Sequence, residues 1–124
     1  MINKAKMLGY VVVCVSLHSF ALGVLLMVLD KDLFAVFGWE PLCNRFFLHQ
    51  VGIFHIVLAV IYLIEYFRYK RVTSILLAKS AAVAFLAVEY IWLTPQTPIL
   101  LAGLGDGALA LIVVLVYYQF RKSL

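Results

Sequence analysis

Charge is what this sequence has least of. Only 13% of its 124 residues are Asp, Glu, Lys or Arg, 66% are hydrophobic, and the mean hydropathy is +1.09. Ordinary soluble domains carry about a quarter charged residues, so that class is excluded. Proline is scarce, with 3 residues, and long helices can run unbroken. Cysteine is scarcer still. Cys14 falls inside the first apolar run and Cys43 in the loop after it. A depth difference of ~15 Å between them, counted from the helical rise, exceeds the ~4.4–6.8 Å Cα separation of a disulfide. Both thiols are expected to be free, and no CxxC or Cys/His pattern points to zinc. There is no stripe of cations interleaved with aromatics, so the net charge of +4 does not imply nucleic acid. The alternation of a membrane β-strand is missing too.

What is present is a set of long apolar runs. The clearest, RFFLHQVGIFHIVLAVIYLIEYFRYKR, occupies residues 45–71. It opens on Arg45 and closes on Arg68, Lys70 and Arg71, with His49, Gln50, His55 and Glu65 as its strongly polar members. About 20 apolar residues at ~1.5 Å each cover a ~30 Å hydrocarbon core. Three further runs of similar length give expected spans at about residues 7–29, 46–67, 75–93 and 99–120. Backbone groups in lipid must be satisfied within the segment, so each run is expected to be a helix. The fold class is therefore all-α, an integral membrane four-helix bundle forming one domain over residues 1–124. Lys4 and Lys6 before an apolar run, with Ser19-Phe20-Ala21 as a cleavage-like motif, have the outline of a secretory signal. The run continues to Leu29, longer than a signal core, and is expected to stay as a span.

Charge placement sets the orientation. With four spans, Lys4, Lys6, Arg68, Lys70, Arg71, Lys79, Arg121 and Lys122 fall on one side, and Lys31 and Arg45 on the other. The positive-inside rule places both termini in the cytoplasm of a multi-pass protein of the cell membrane, the inner membrane in a two-membrane cell. Tyr62, Tyr66, Tyr69, Tyr117 and Tyr118 read as an aromatic belt at the inner face, and residues 33–39 as an interfacial segment with Trp39 at headgroup level. Glu65 reads as a partner of the Arg68/Lys70 cluster. Gly103 and Gly107 form a GxxxG pair, with Ala110 on the same face, where helices can approach closely.

The polar residues within the spans carry the functional signal. By helical rise His55 lies ~12 Å below the outer surface, Glu89 ~6 Å, Asp106 ~10 Å and His18 ~15 Å. Arg45 and His49 stand at the outer end of the second span. Arg45, His49, His55, Glu89, Asp106 and His18 thus form a candidate polar pocket in the outer half of the bundle, drawn from all four helices. A buried carboxylate needs a partner or a proton, and Asp106 or Glu89 is expected to contact Arg45, His49 or His55. A structural hydrogen-bond network is the plainer reading of the same set. His18 and His55 are the candidate ligands for a metal or haem iron. The Glu-x-x-His pairs of a di-iron bundle are absent.

Four short spans, Arg45 opening the second, Gly52 within it, a charged turn after it and Gly105-Asp106-Gly107 near the start of the fourth resemble DoxX-like small membrane proteins over about residues 45–118. His49, His55 and Glu89 depart from that pattern. The resemblance implies a helical bundle and an accessory place in a quinol-oxidising or thiol-redox membrane complex, and it carries no catalytic residue across.

The residues therefore support a non-catalytic accessory or binding subunit with an outward-facing polar pocket between helices. No cofactor is required by this reading. The alternatives are a redox subunit holding haem or metal on His18 and His55, and a small proton-coupled transporter using Glu89 and Asp106. The expected partners are the lipid bilayer and other membrane subunits or a second copy of the chain, with no nucleic acid.

Overall fold

The computed structural model describes residues 3–28, 35–36, 38, 45–93 and 95–122. Four helices account for nearly all of them: α1 (Lys4–Val28), α2 (Arg45–Tyr69), α3 (Thr73–Val88), which continues as a π-helical turn over Glu89–Leu93, and α4 (Thr97–Arg121). All four are long and apolar enough to cross a membrane. Trp39 and most of the 33–39 segment lie outside the described residues, as does Cys43; Cys14 is a free thiol.

The helix ends follow from local chemistry. Pro95 cannot extend α3, because proline has no N–H to donate and its ring clashes with the preceding helical turn. Pro98 is tolerated at the start of α4, where backbone N–H groups have no helical acceptor. Between α2 and α3 the chain turns within Lys70, Arg71 and Val72, with Lys70 in the left-handed region at φ 54°. Val72, at the N-cap of α3, has no side chain able to cap. Glu65 does it from the preceding helix: its carboxylate accepts the Thr73 N–H at 3.1 Å, the Ser74 N–H at 2.8 Å and the Ser74 hydroxyl. Glu65 is thus a helix cap, where the sequence had suggested a partner for Arg68 and Lys70.

The helices form two antiparallel hairpins. In the first, Ser16 donates from its hydroxyl to the Ala59 carbonyl at 2.6 Å, and Tyr66 donates to the Ala5 carbonyl at 2.9 Å. Farther along, Gly23 and Gly52 meet backbone to backbone. A Cβ added to Gly23 would lie 2.6 Å from the Gly52 carbonyl oxygen, and one added to Gly52 would lie 2.7 Å from that of Gly23. Only glycine permits this approach, since any side chain would force the helices apart. In the second hairpin Gly103 faces Leu86 and Gly107 faces Val83, at looser distances.

The hairpins join through a core at the end carrying the α2–α3 turn. Leu8, Val12 and Val15 of α1, Tyr62 and Tyr66 of α2, Val72 and Ile75 of the third segment and Val113 of α4 are its buried members. Tyr62 and Tyr66 are therefore core residues with their rings inside, and do not belong to an aromatic belt; Tyr69 and Tyr118 are exposed. At the opposite end the picture changes. α3 buries nothing beyond Lys79, the π turn buries nothing, and α4 buries nothing ahead of Asp106. Among the described residues, the buried cluster shared by both hairpins lies at the end with the α2–α3 turn.

Candidate functional site

The most polar interior feature sits where the shared core stops. Lys79 is one turn beyond Ile75 on α3, and its surface is 2% exposed; Asp106 on α4 is 7% exposed. The Lys79 ammonium and the Asp106 carboxylate form an ion pair at 2.5 Å. Local sequence explains the meeting. Gly103, Gly107 and Ala110 share a face of α4 with Asp106 at helical spacing. Gly103 and Gly107 meet α3, so Asp106 is presented to α3 as well. On α3, Val83 and Leu86 face those glycines, and Lys79 precedes them on the same stripe at i−4 and i−7.

The sequence had placed Lys79 among the loop cations. Its position inside the apolar run Ile75-Leu76-Leu77-Ala78 was the available signal. A lysine in the first turns of a span reads as a snorkelling residue, and only the register against Asp106 shows that it turns inward.

The six expected pocket residues divide. Arg45 and His49 meet each other, the Arg45 Nε–H donating to His49 Nε2 at 3.3 Å across one turn of α2. Arg45 is exposed, and the helical rise puts it ~15 Å along the axis from His55. Asp106 therefore takes Lys79 as its ion-pair partner, and not Arg45. Glu89 is half-buried in the π-helical turn, ~15 Å along α3 from Lys79 by the same rise. His18 and His55 lie within electrostatic range of the ion pair. Each lies in the fields of both Lys79 and Asp106, and His55 also in that of His18. His55 is half-buried, and His18 is open at the flank of α1. His18 stands ~80–100° by helical count from Val15 and Ser19's shared face toward α2.

Two further groups complete the cluster. The Tyr62 side chain, buried on α2, also feels the Asp106 charge. Ser19, 1% exposed on α1, turns its hydroxyl toward that of Tyr62 but completes no well-formed hydrogen bond. A buried hydroxyl without a well-formed bond carries a desolvation cost of about 1–3 kcal/mol. The site thus holds one cation, one anion, two imidazoles and two hydroxyls, contributed by all four helices. Among the described residues, no three His, Cys, Asp or Glu side chains gather closely enough to hold a metal ion.

No protein-family model, curated protein or solved structure matches this chain. Its functional reading rests on the site itself.

Proposed function

We propose that this chain is a multi-pass membrane protein, with both termini cytoplasmic, that binds a small polar ligand between its two hairpins, above the Lys79–Asp106 pair. The observation carrying this reading is the position of that pair. It is buried at the level where the common core ends and the hairpins cease to bury residues against each other. A buried ion pair surrounded by hydrogen-bonding side chains is costly in a membrane span and tends to mark a functional path or site. Moving Lys79 inside the bundle takes one cation from the cytoplasmic end and leaves the charge asymmetry in place. Seven cations (Lys4, Lys6, Arg68, Lys70, Arg71, Arg121, Lys122) remain with the termini and the α2–α3 turn, and none of them is needed within the bundle. The exposed apolar flanks, such as Phe85, Leu101 and Leu111, are the surface that lipid would cover. An accessory role beside redox subunits, as the DoxX-like resemblance suggests, is compatible with such a binding site and is part of the proposal.

A small carrier is the second reading, favoured by the same ion pair, because a charge-neutral pair inside a bundle is able to exchange a proton for a ligand. Cysteine accessibility tests the binding reading. With Cys14 and Cys43 replaced by serine, Ser19→Cys in intact cells should react with a small hydrophilic thiosulfonate added outside. Gln96→Cys should react as well, and Lys122→Cys should not. An unreactive residue 19 with a reactive residue 96 would end the pocket; a reactive residue 122 with an unreactive residue 96 would reverse the topology.

A further inference from the structure

We infer that the site takes a small weak acid as anion plus proton: the anion on Lys79, the proton on Asp106. This rests on the pocket reading above and names its ligand. The first step is charge balance. Lys79 and Asp106 together carry no net charge, and both are almost wholly buried. A lone anion or cation entering would leave the site with an uncompensated charge in a medium where that is very costly. A ligand that arrives with its compensating proton leaves the total unchanged. The ammonium–carboxylate pair, one proton and one anion become an ammonium–anion pair beside a neutral carboxylic acid.

The second step is the donor inventory. Lys79 from α3 contacts Asp106 directly, and His18 of α1 and His55 and Tyr62 of α2 lie within electrostatic range of that carboxylate. Ser19 adds a buried hydroxyl with no completed bond. The ammonium only donates, the two hydroxyls and the two imidazoles carry donors of their own, and Asp106 is the single carboxylate. A metal cation or an ammonium ligand would meet the like charge of the Lys79 ammonium, beside a carboxylate already engaged by it. A carboxylate-type anion finds a cation and several donors. The unsatisfied Ser19 hydroxyl supplies what an incoming oxygen would accept. The third step is access: His18 is open and His55 half-open, so the donors are not sealed behind the ion pair.

The test uses the purified full-length protein with sodium benzoate and sodium acetate as probes, and methylammonium chloride as the cationic control. Binding is read by calorimetry and by the thermal midpoint between pH 5 and pH 8. One proton should be taken up per anion, so the apparent Kd should rise about tenfold per pH unit wherever Asp106 is ionised in the free protein. Asp106→Asn mimics the protonated acid and leaves Lys79 without a counter-charge. It should bind benzoate or acetate more tightly, with no proton uptake and a flat pH profile. His18→Gln should keep the wild-type slope, which assigns the proton to Asp106. The Lys79→Gln, Asp106→Asn double variant, neutral and expected to fold, should lose binding at every pH. If Asp106→Asn fails to fold, the wild-type slope and the double variant decide alone. Binding of methylammonium in place of the anions, or anion binding without pH dependence, overturns the inference. So does an absence of anion binding: if residue 19 is still labelled from outside, only the ligand class is wrong, whereas an unlabelled residue 19 removes the pocket as well.

Discussion

The two ends of this bundle are built on different principles. At the end with the α2–α3 turn, eight buried side chains from every part of the fold interlock across both hairpins. At the other end each hairpin is held closely within itself, by Gly23 against Gly52 and by Gly103 and Gly107 against Leu86 and Val83, while the outer parts of α3 and α4 bury nothing. Side-chain volume joins the four helices where they need to stay together. Among the described residues beyond Lys79 on α3 and ahead of Asp106 on α4, no side chain is buried in this way. Lys79, Asp106, Ser19, Tyr62 and the two histidines occupy the border between these regimes.

The comparison breaks most severely at the glycine crossing. Gly23→Val places its Cβ within 2.6 Å of the Gly52 carbonyl oxygen and 2.8 Å of Ile56 Cγ1. The Gly52 contact cannot yield without moving backbone, so α1 and α2 must separate along the outer half. The expected loss is several kcal/mol, in the upper range of single-residue effects, at about 4 kcal/mol or more. The readout is the thermal midpoint in detergent together with cross-linking between Ser16→Cys and Ala59→Cys, which should fall with it. Gly105→Ala, where no atom lies within 4 Å, is the matched control and should change stability little. A Gly23→Val protein as stable as wild type would show that the close crossing is not required.

The next largest effect comes from the ion pair. Lys79→Met alone leaves the Asp106 carboxylate buried without its counter-ion and should cost about 3–5 kcal/mol. Replacing both, as Lys79→Met with Asp106→Leu, removes charge and desolvation penalty together and should recover most of the loss or exceed the wild type. The double-mutant cycle measures the coupling directly. Additive losses would mean that the two side chains do not act as a pair. A recovered double variant that no longer binds any probe would show that the pair is kept at the expense of stability.

Hydropathy made the four helices legible, because an uninterrupted apolar run has few other solutions. The expected spans at 7–29, 46–67, 75–93 and 99–120 fall within a few residues of the observed helices. Asp106 was legible as an interior group from depth counting alone, whereas depth does not show that His55 is half-buried and His18 exposed. Lys79 was not. Depth assigns a lysine near a helix end to the interface, and only rotation and register reveal an inward side chain. Tyr62 and Tyr66 read as belt residues in the sequence and are core residues in the structure for a similar reason: composition shows which residue types occur near an end, while burial depends on which face meets a neighbour. Gly23 carried no signal on its own. Its role exists only opposite Gly52, 29 positions on, and a single sequence does not show which distant residues meet.

The smallest effects sharpen the packed end, at the α2–α3 turn. Glu65 caps α3 through two backbone N–H groups and the Ser74 hydroxyl. Glu65→Ala should cost about 1 kcal/mol, as loss of an N-cap does. Lys70 holds a left-handed backbone at φ 54°, and its N–H closes α2 on the Tyr66 carbonyl at 2.8 Å. A side chain there costs about 1–2 kcal/mol relative to glycine. The lysine compensates in part, since its ammonium lies 4.9 Å from the centre of the Tyr66 ring, a contact of about 0.5–1 kcal/mol at an accessible site. Lys70→Ala loses the contact and keeps the backbone strain, so it should be less stable than wild type by about that amount. Lys70→Gly loses the contact and the strain together, and should come within about 1 kcal/mol of wild type. Glycine more stable than alanine at this position, by thermal midpoint, is the signature of the left-handed turn. Equal midpoints would mean that the turn relaxes out of that conformation, and the Glu65 cap would then be held by a different backbone.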